Sequence, residues 1–184
     1  MSLIPRRMAM LVAFSLLANV ASAQEENNSV MGELMLQTIP AKGYVYGSFD
    51  TDFKSMGKPV GETLGTIIKA AGENKIPLTG PVMHFYYGAP HQAPDKGFKM
   101  ETGFFVFPGT KLSDEFKVRE LPKYKCATIL YVGPTARIGD AWQKLYKSVN
   151  DRGLTPTDEE REIYLYWEGV DSPNNIVQVM VGVK

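Results

Sequence analysis

The same order of elements occurs twice in this chain, and that repetition constrains the fold more than any other feature. Val60-Gly61-Glu62 is matched by Ile138-Gly139-Asp140 seventy-eight positions on, and Lys69 falls on Lys147. Val60, Leu64, Ile67, Ile68 and Ala71 lie at helical spacing, as do Ile138, Ala141, Trp142, Leu145 and Val149, which predicts one amphipathic helix in each half. Around the first helix, strands are expected over Glu33 to Tyr46 (broken at Pro40 to Gly43), Val82 to Tyr87 and Lys99 to Val106. Asp50 to Lys58 reads as turn, and Ala89 to Gly97, with two prolines, as loop. Around the second helix, strands are expected over Phe116 to Leu121, Lys125 to Val132, Glu162 to Trp167 and Ile176 to Val183. Val82 to Gly88 maps onto Glu162 to Gly169 with a one-residue slip, and Met100 to Val106 onto Val177 to Val183. The expected architecture is α/β (α+β), a tandem pseudo-twofold strand-helix-strand-strand repeat. An antiparallel sheet carries two helices, with a cleft between halves 33–109 and 110–184.

The 184 residues suffice for one domain over 33–184 with a sizeable core. Hydrophobic content of 44% and charged content of 22% describe a globular chain, and zero formal net charge supplies no basic field for nucleic acid. Residues 1–23 read as a signal peptide. Arg6-Arg7 give a positive start, Met8 to Val20 an apolar run broken by Ser15 and Asn19, and Ala21-Ser22-Ala23 a small-x-small cleavage site. That run falls short of the about 20 apolar residues of a membrane span. A periplasmic or secreted protein with no membrane span after cleavage is expected, a retained anchor being the alternative. Residues 24–32 read as a disordered tether. Cys126 is the one cysteine, so no internal disulfide can form, and its apolar surroundings predict a buried, inert thiol.

Arg161 to Trp167 alternates strictly. Ile163, Leu165 and Trp167 point toward whatever covers the sheet, while Glu162, Tyr164 and Tyr166 share the other face. A carboxylate on an inner strand needs a partner that supplies charge or hydrogen bonds, and one candidate is a ligand. Alternation also groups Glu101 with Gly103 and Phe105, and Gln178 with Met180 and Gly182. If those faces meet the Glu162 face, they converge on one cavity of apolar walls and a few polar groups. His84 and Tyr86, on the Val82 to Tyr87 strand, join the ligand-binding candidates. Two histidines seven apart make no metal site without a third ligand. Trp142 reads as core, Asp158 to Arg161 as a solvated loop, and no nucleophile arrangement or phosphate-cradling glycine loop is present.

Tyr131-Val132-Gly133-Pro134, Ile138 to Leu145, Gly153-Leu154, Arg161 to Leu165 and Val177 to Val183, in that order, resemble the GyrI-like small-molecule-binding family. That family includes effector domains of multidrug-responsive transcription regulators. Asn74 to Val82 is similar to a segment of the SOUL haem-binding proteins, which share the duplicated fold. The resemblance implies a cleft that takes planar or cationic molecules against aromatic walls, with a buried glutamate that maps onto Glu162. A second acidic position of the family falls on Gln178, with Glu101 at the equivalent place of the first half. An aromatic position falls on Thr135. The expected function is binding of a hydrophobic, aromatic or cationic small molecule, without catalysis. Hydrolysis of an electrophilic ligand through Glu162 and Tyr164, and haem or porphyrin binding, are the alternatives. If residues 1–23 are removed, the short segment before the domain is expected to carry none of the family's usual DNA-binding partner domain.

Overall fold

The computed structural model describes residues 29–111 and 116–184, which form nine strands and two α-helices. In chain order these are β1 (Val30–Met31), β2 (Met35–Ile39), β3 (Lys42–Thr51), α1 (Gly57–Glu73), β4 (Val82–Tyr87), β5 (Phe98–Val106) and β6 (Lys117–Leu121). There follow β7 (Tyr124–Val132), α2 (Ile138–Asp151), β8 (Pro156–Tyr166) and β9 (Ile176–Val183). All strands join one antiparallel sheet ordered β7-β9-β8-β4-β5-β3-β6, with β1 and β2 along the outer edge of β7. Each half runs strand, helix, strand, strand, and its last strand pairs between the other two. The halves meet in mid-sheet at β4 and β8, in register from Val82 opposite Tyr164 to Tyr87 opposite Glu159.

The sheet's edges are exchanged between halves. Only Pro40-Ala41 separates β2 from β3, yet β2 pairs with β7; only Pro122-Lys123 separates β6 from β7, yet β6 pairs with β3. Proline in each link lacks the N–H a tight ladder would use, so the chain turns out of its own hairpin.

Both helices lie on one face. α1 buries Ile67 and Ala71, with Ile67 packed on Val45, Phe104 and Val106 of β3 and β5. α2 buries Ala141, Trp142, Leu145 and Val149 on β7 and β9, against Ala127, Ile129, Val177, Val179 and Val181. On the opposite face Tyr44, Met83, Phe85, Phe105, Tyr124, Cys126, Ile163 and Met180 pack together. The Cys126 thiol is fully buried, and that burial pushes it up to about 11, as expected of an inert cysteine. Each helix covers the outer strands of its own half, so the central β4–β8 pair has neither helix directly over it.

Several boundaries depart from the expectation; β3, for one, runs on to Thr51 past the expected end at Tyr46. The helix α1 begins at Gly57, three residues before Val60, with Pro59 in its first turn where a missing N–H is harmless. Val30 and Met31, expected in the tether, pair with Val132 and Tyr131. The expected signal peptide and the tether as far as Asn28 lie outside the described residues. The Asp158 to Arg161 run, expected to be a solvated loop, is the first half of β8, with Glu160 fully buried and Arg161 nearly so. The Arg161 guanidinium lies 4.3 Å from the Phe85 ring centre and 3.5 Å from that of Tyr124, and pairs with Glu159 at 2.5 Å. Aromatic faces and a carboxylate offset its desolvation.

Gly103 of β5 is where β3 approaches most closely: a Cβ there would sit 1.9 Å from the Val45 carbonyl oxygen. That oxygen belongs to backbone and cannot rotate away. Gly103→Ala is therefore expected to cost about 3 kcal/mol, the upper range for overpacking, read as a lowered urea midpoint with an unchanged slope.

Candidate functional site

The gap between the helices is floored by the side chains that β4 and β8 send upward: Val82, His84 and Tyr86, and Glu160, Glu162 and Tyr164. Over the α1 side it opens as a cavity of about 440 Å³, within the range of small-molecule sites. Val82, His84 and Tyr164 form its floor, Met56, Val60 and Leu64 its α1 wall, and Thr135, Trp167 and Val170 its rim. Gly57 and Gly61 also line it, and a Cβ at either would meet open space. A glycine inside a helix costs about 1 kcal/mol relative to alanine. At Gly61 that cost keeps the cavity wide.

Glu162 lies beside the cavity and is 1% exposed. Its Oε2 accepts hydrogen bonds from the Tyr86 hydroxyl at 2.7 Å and the Tyr164 hydroxyl at 2.8 Å, and its Oε1 accepts one from the Trp142 indole at 2.8 Å. Three neutral donors therefore hold a buried carboxylate, and no lysine or arginine among the described residues pairs with it. Burial, reinforced by the charge of Glu162, raises both phenols well above the ordinary tyrosine value and keeps them protonated as donors. His84, directly across from Glu162, pairs its Nδ1 with the Thr102 hydroxyl at 2.8 Å. Its burial lowers the imidazole to about 4, overriding the upward pull of the Glu162 carboxylate.

On the α2 side the gap is full. His91, from the loop between β4 and β5, stacks on Trp142 with ring centres 4.0 Å apart and planes 13° from parallel. Its Nδ1 meets Glu160 Oε2, and its Nε2 lies 3.8 Å from Glu162 Oε1. The Tyr146 hydroxyl donates to Glu160 Oε1 at 2.5 Å.

Of the residues singled out from the sequence, the structure brings His84, Tyr86, Glu162 and Tyr164 together. Tyr166 departs: a register shift between Tyr164 and Tyr166 turns it outward, 48% exposed and bonded to Glu168, and Trp167 lines the cavity instead. Glu101, Gln178 and Met180 lie on the opposite face of the sheet, because their cross-strand partners are Phe85, Ile163 and Arg161. There Glu101 pairs with Arg119 at 2.6 Å, and burial outweighs that guanidinium to raise its carboxyl above the usual range. The helices thus cover the Glu162 face, whereas Ile163 packs on the far side and Leu165 and Trp167 are half exposed. Glu160 and His91 were not among the candidates. Glu160 has the same parity as Glu162, a signal that the loop reading of Asp158 to Arg161 concealed. His91 sits in a loop, where no periodicity marks an inward side chain. Trp142 is core, as its helical stripe implied, and also a donor to Glu162.

The depressed His84 sets a pH dependence. Above its ordinary value of about 6.5 the imidazole is neutral whether the chain is folded or not. Between pH 6.5 and 4 the unfolded chain gains a proton that the folded chain refuses, so stability falls as pH falls, by up to about 3 kcal/mol. His84→Asn, whose amide can still reach Thr102, is expected to flatten this part of the pH profile of urea unfolding.

Several solved structures share this architecture. The EcmrR C-terminal domain superposes with a TM-score of 0.70 at 21% identity, over 83% of this chain and 97% of that one. EcmrR in its DNA complex gives 0.66 at 23% identity; the chain spans 57% of that protein's length. SAV2435 bound to tetraphenylphosphonium gives 0.53 at 12% identity, over 83% of this chain and 94% of that one. At such identities the likeness establishes the fold. Among curated proteins no match was found. The family described as GyrI-like small molecule binding domain matches residues 33–184, nearly all of the described chain, and the protein belongs to that family.

Proposed function

We propose that the chain binds a hydrophobic aromatic cation in the cavity between α1 and the β4–β8 pair. The observation that carries this reading is the pairing of an apolar cavity with a buried carboxylate whose three hydrogen bonds come from neutral groups. The Glu162 carboxylate sits at the end of the Tyr164 side chain, hydrogen-bonded to a residue that lines the cavity. The field of such a charge falls off slowly in a medium of low dielectric, so a cation in the cavity gains from it without direct contact. The rings of Tyr164 and Trp167 add attraction for a cation of about 0.5–2 kcal/mol each. SAV2435, which shares the fold, is bound to tetraphenylphosphonium, a molecule of this chemical class. The leader-like residues 1–23 support a site of action outside the cytoplasm.

Titration with tetraphenylphosphonium, followed by quenching of tryptophan fluorescence, tests the reading. Glu162→Gln keeps the size and most of the hydrogen bonds and is expected to weaken binding about tenfold or more, the scale of one partly desolvated charge interaction. Equal affinity in that variant would remove the electrostatic basis of the proposal. Gly61→Leu separates cavity from fold: filling the open space should abolish binding while a better helix former raises stability by about 1 kcal/mol.

A further inference from the structure

The β4–β5 loop carries an aromatic, ionisable ring into a place already built for one. The His91 side chain is 7% exposed and lies flat on Trp142, with Phe53 at 4.7 Å on another side and Tyr86 edge-on at 5.0 Å. Its two ring nitrogens face two carboxylates, Glu160 and Glu162, which are 0% and 1% exposed. Arginines 119 and 161 lie across the sheet, engaged with Glu101 and Glu159. Two buried carboxyl groups inside an aromatic box make a place for a flat nitrogen-bearing ring, and here the His91 ring fills it.

The ring itself is anchored by the Trp142 stack and the Glu160 contact, but the backbone of the loop that carries it is tied down only by long hydrogen bonds. The Gly88 and Ala89 amides reach the Asp158 carbonyl at 3.1 and 3.2 Å, and the His91 amide reaches Glu160 at 3.3 Å. Ala89 stands at φ 51, in the left-handed region that a residue with a Cβ enters only at a cost. Gly88 beside it, at φ 85, gives the loop a pivot without that penalty. Part of the energy gained by seating the ring is therefore spent on bending the chain to reach the box.

We propose that Trp142, Glu160, Glu162 and Tyr146 form a second, occluded cation subsite. His91 is its displaceable resident, and the subsite accepts a planar nitrogen cation (an imidazolium, amidinium or guanidinium group of a ligand) when the β4–β5 loop moves out. This extends the small-molecule reading above: one arm of a ligand rests in the open cavity, and a flat cationic arm replaces His91 behind Tyr164. Glu162 serves both places.

The test uses the full chain with His91→Gly, probed by imidazolium chloride at pH 6 and by benzamidinium chloride. The variant is expected to melt below the wild type and to recover with saturable dependence on millimolar imidazolium. It should also bind benzamidinium about tenfold or more tighter than the wild type, since no resident must be expelled. Adding Glu160→Gln should remove both effects. Failure of the folded His91→Gly variant to take either cation, or equal uptake by the wild type, overturns the subsite. If His91→Gly does not fold, the wild type decides the matter: its His91 ring signals, followed by nuclear magnetic resonance, should shift on benzamidinium titration while those of His84 stay fixed. Unmoved His91 signals overturn the proposal. Tetraphenylphosphonium binding separates the two readings. A wild type that ignores it while His91→Gly takes imidazolium loses the open-cavity reading and keeps the subsite; the reverse pattern loses the subsite alone.

Discussion

The central constraint is geometric: each helix covers the outer strands of its own half, and the β4–β8 pair at the seam lies beneath neither. A sheet face left between two helices must be filled by long side chains, by a ligand, or by water. Here the floor carries carboxylates, and burying them demands donors from every nearby element. Tyr86 comes from one half of the sheet, Tyr164 from the other, and Trp142 from α2. The carboxylate of Glu162 therefore ties the two halves together across the seam, and the same need for donors fixes which aromatic residues can stand there.

The two halves have unequal contents at equivalent places. The seventy-eight-residue offset of the helices also relates β4 to β8 without a slip, setting His84 against Glu162 and Tyr86 against Tyr164. It sets Leu64 of α1 against Trp142 of α2. The smaller residue, with Gly61 beside it, borders the open cavity; the larger one reaches down to Glu162 and receives His91 on its face. Near-symmetry of backbone thus yields one hollow side and one filled side. A neutral histidine and a charged carboxylate meet at the centre of the pair.

Strands and helices were legible because their apolar periods differ, and both helices and the Val82 to Tyr87 strand could be read from Ile67, Leu145 and their neighbours. The exchange of edges could not be, since a two-residue link between β2 and β3 reads as a hairpin until long-range pairing is known. The faces of single strands were equally hidden. In β8 the residues of both parities are buried, so alternation separated Glu162 from Ile163 without saying which side the helices would take. The grouping of Glu101, Gln178 and Met180 with Glu162 failed for the related reason that register decides the face. Each of the three is opposed by a residue of the other parity, Phe85, Ile163 or Arg161. Charge misled most at Glu160 and Arg161, where the charged run from Asp158 resembles a solvated turn. Both are buried because His91 and Tyr146 on one side, and Phe85 and Tyr124 on the other, satisfy them locally.

The exchanged edge strands bear on the order in which the chain can become structured. As the polypeptide leaves the ribosome, β2 emerges early but its partner β7 is completed only at Val132, and β8 and β9 follow later still. Until then the growing chain has a sheet margin with nothing to pair it and a seam strand, β4, without its neighbour. Contacts of such long sequence separation delay closure of the sheet toward the end of synthesis. Closure of the sheet, and with it the final shape, therefore waits on the C-terminal strands.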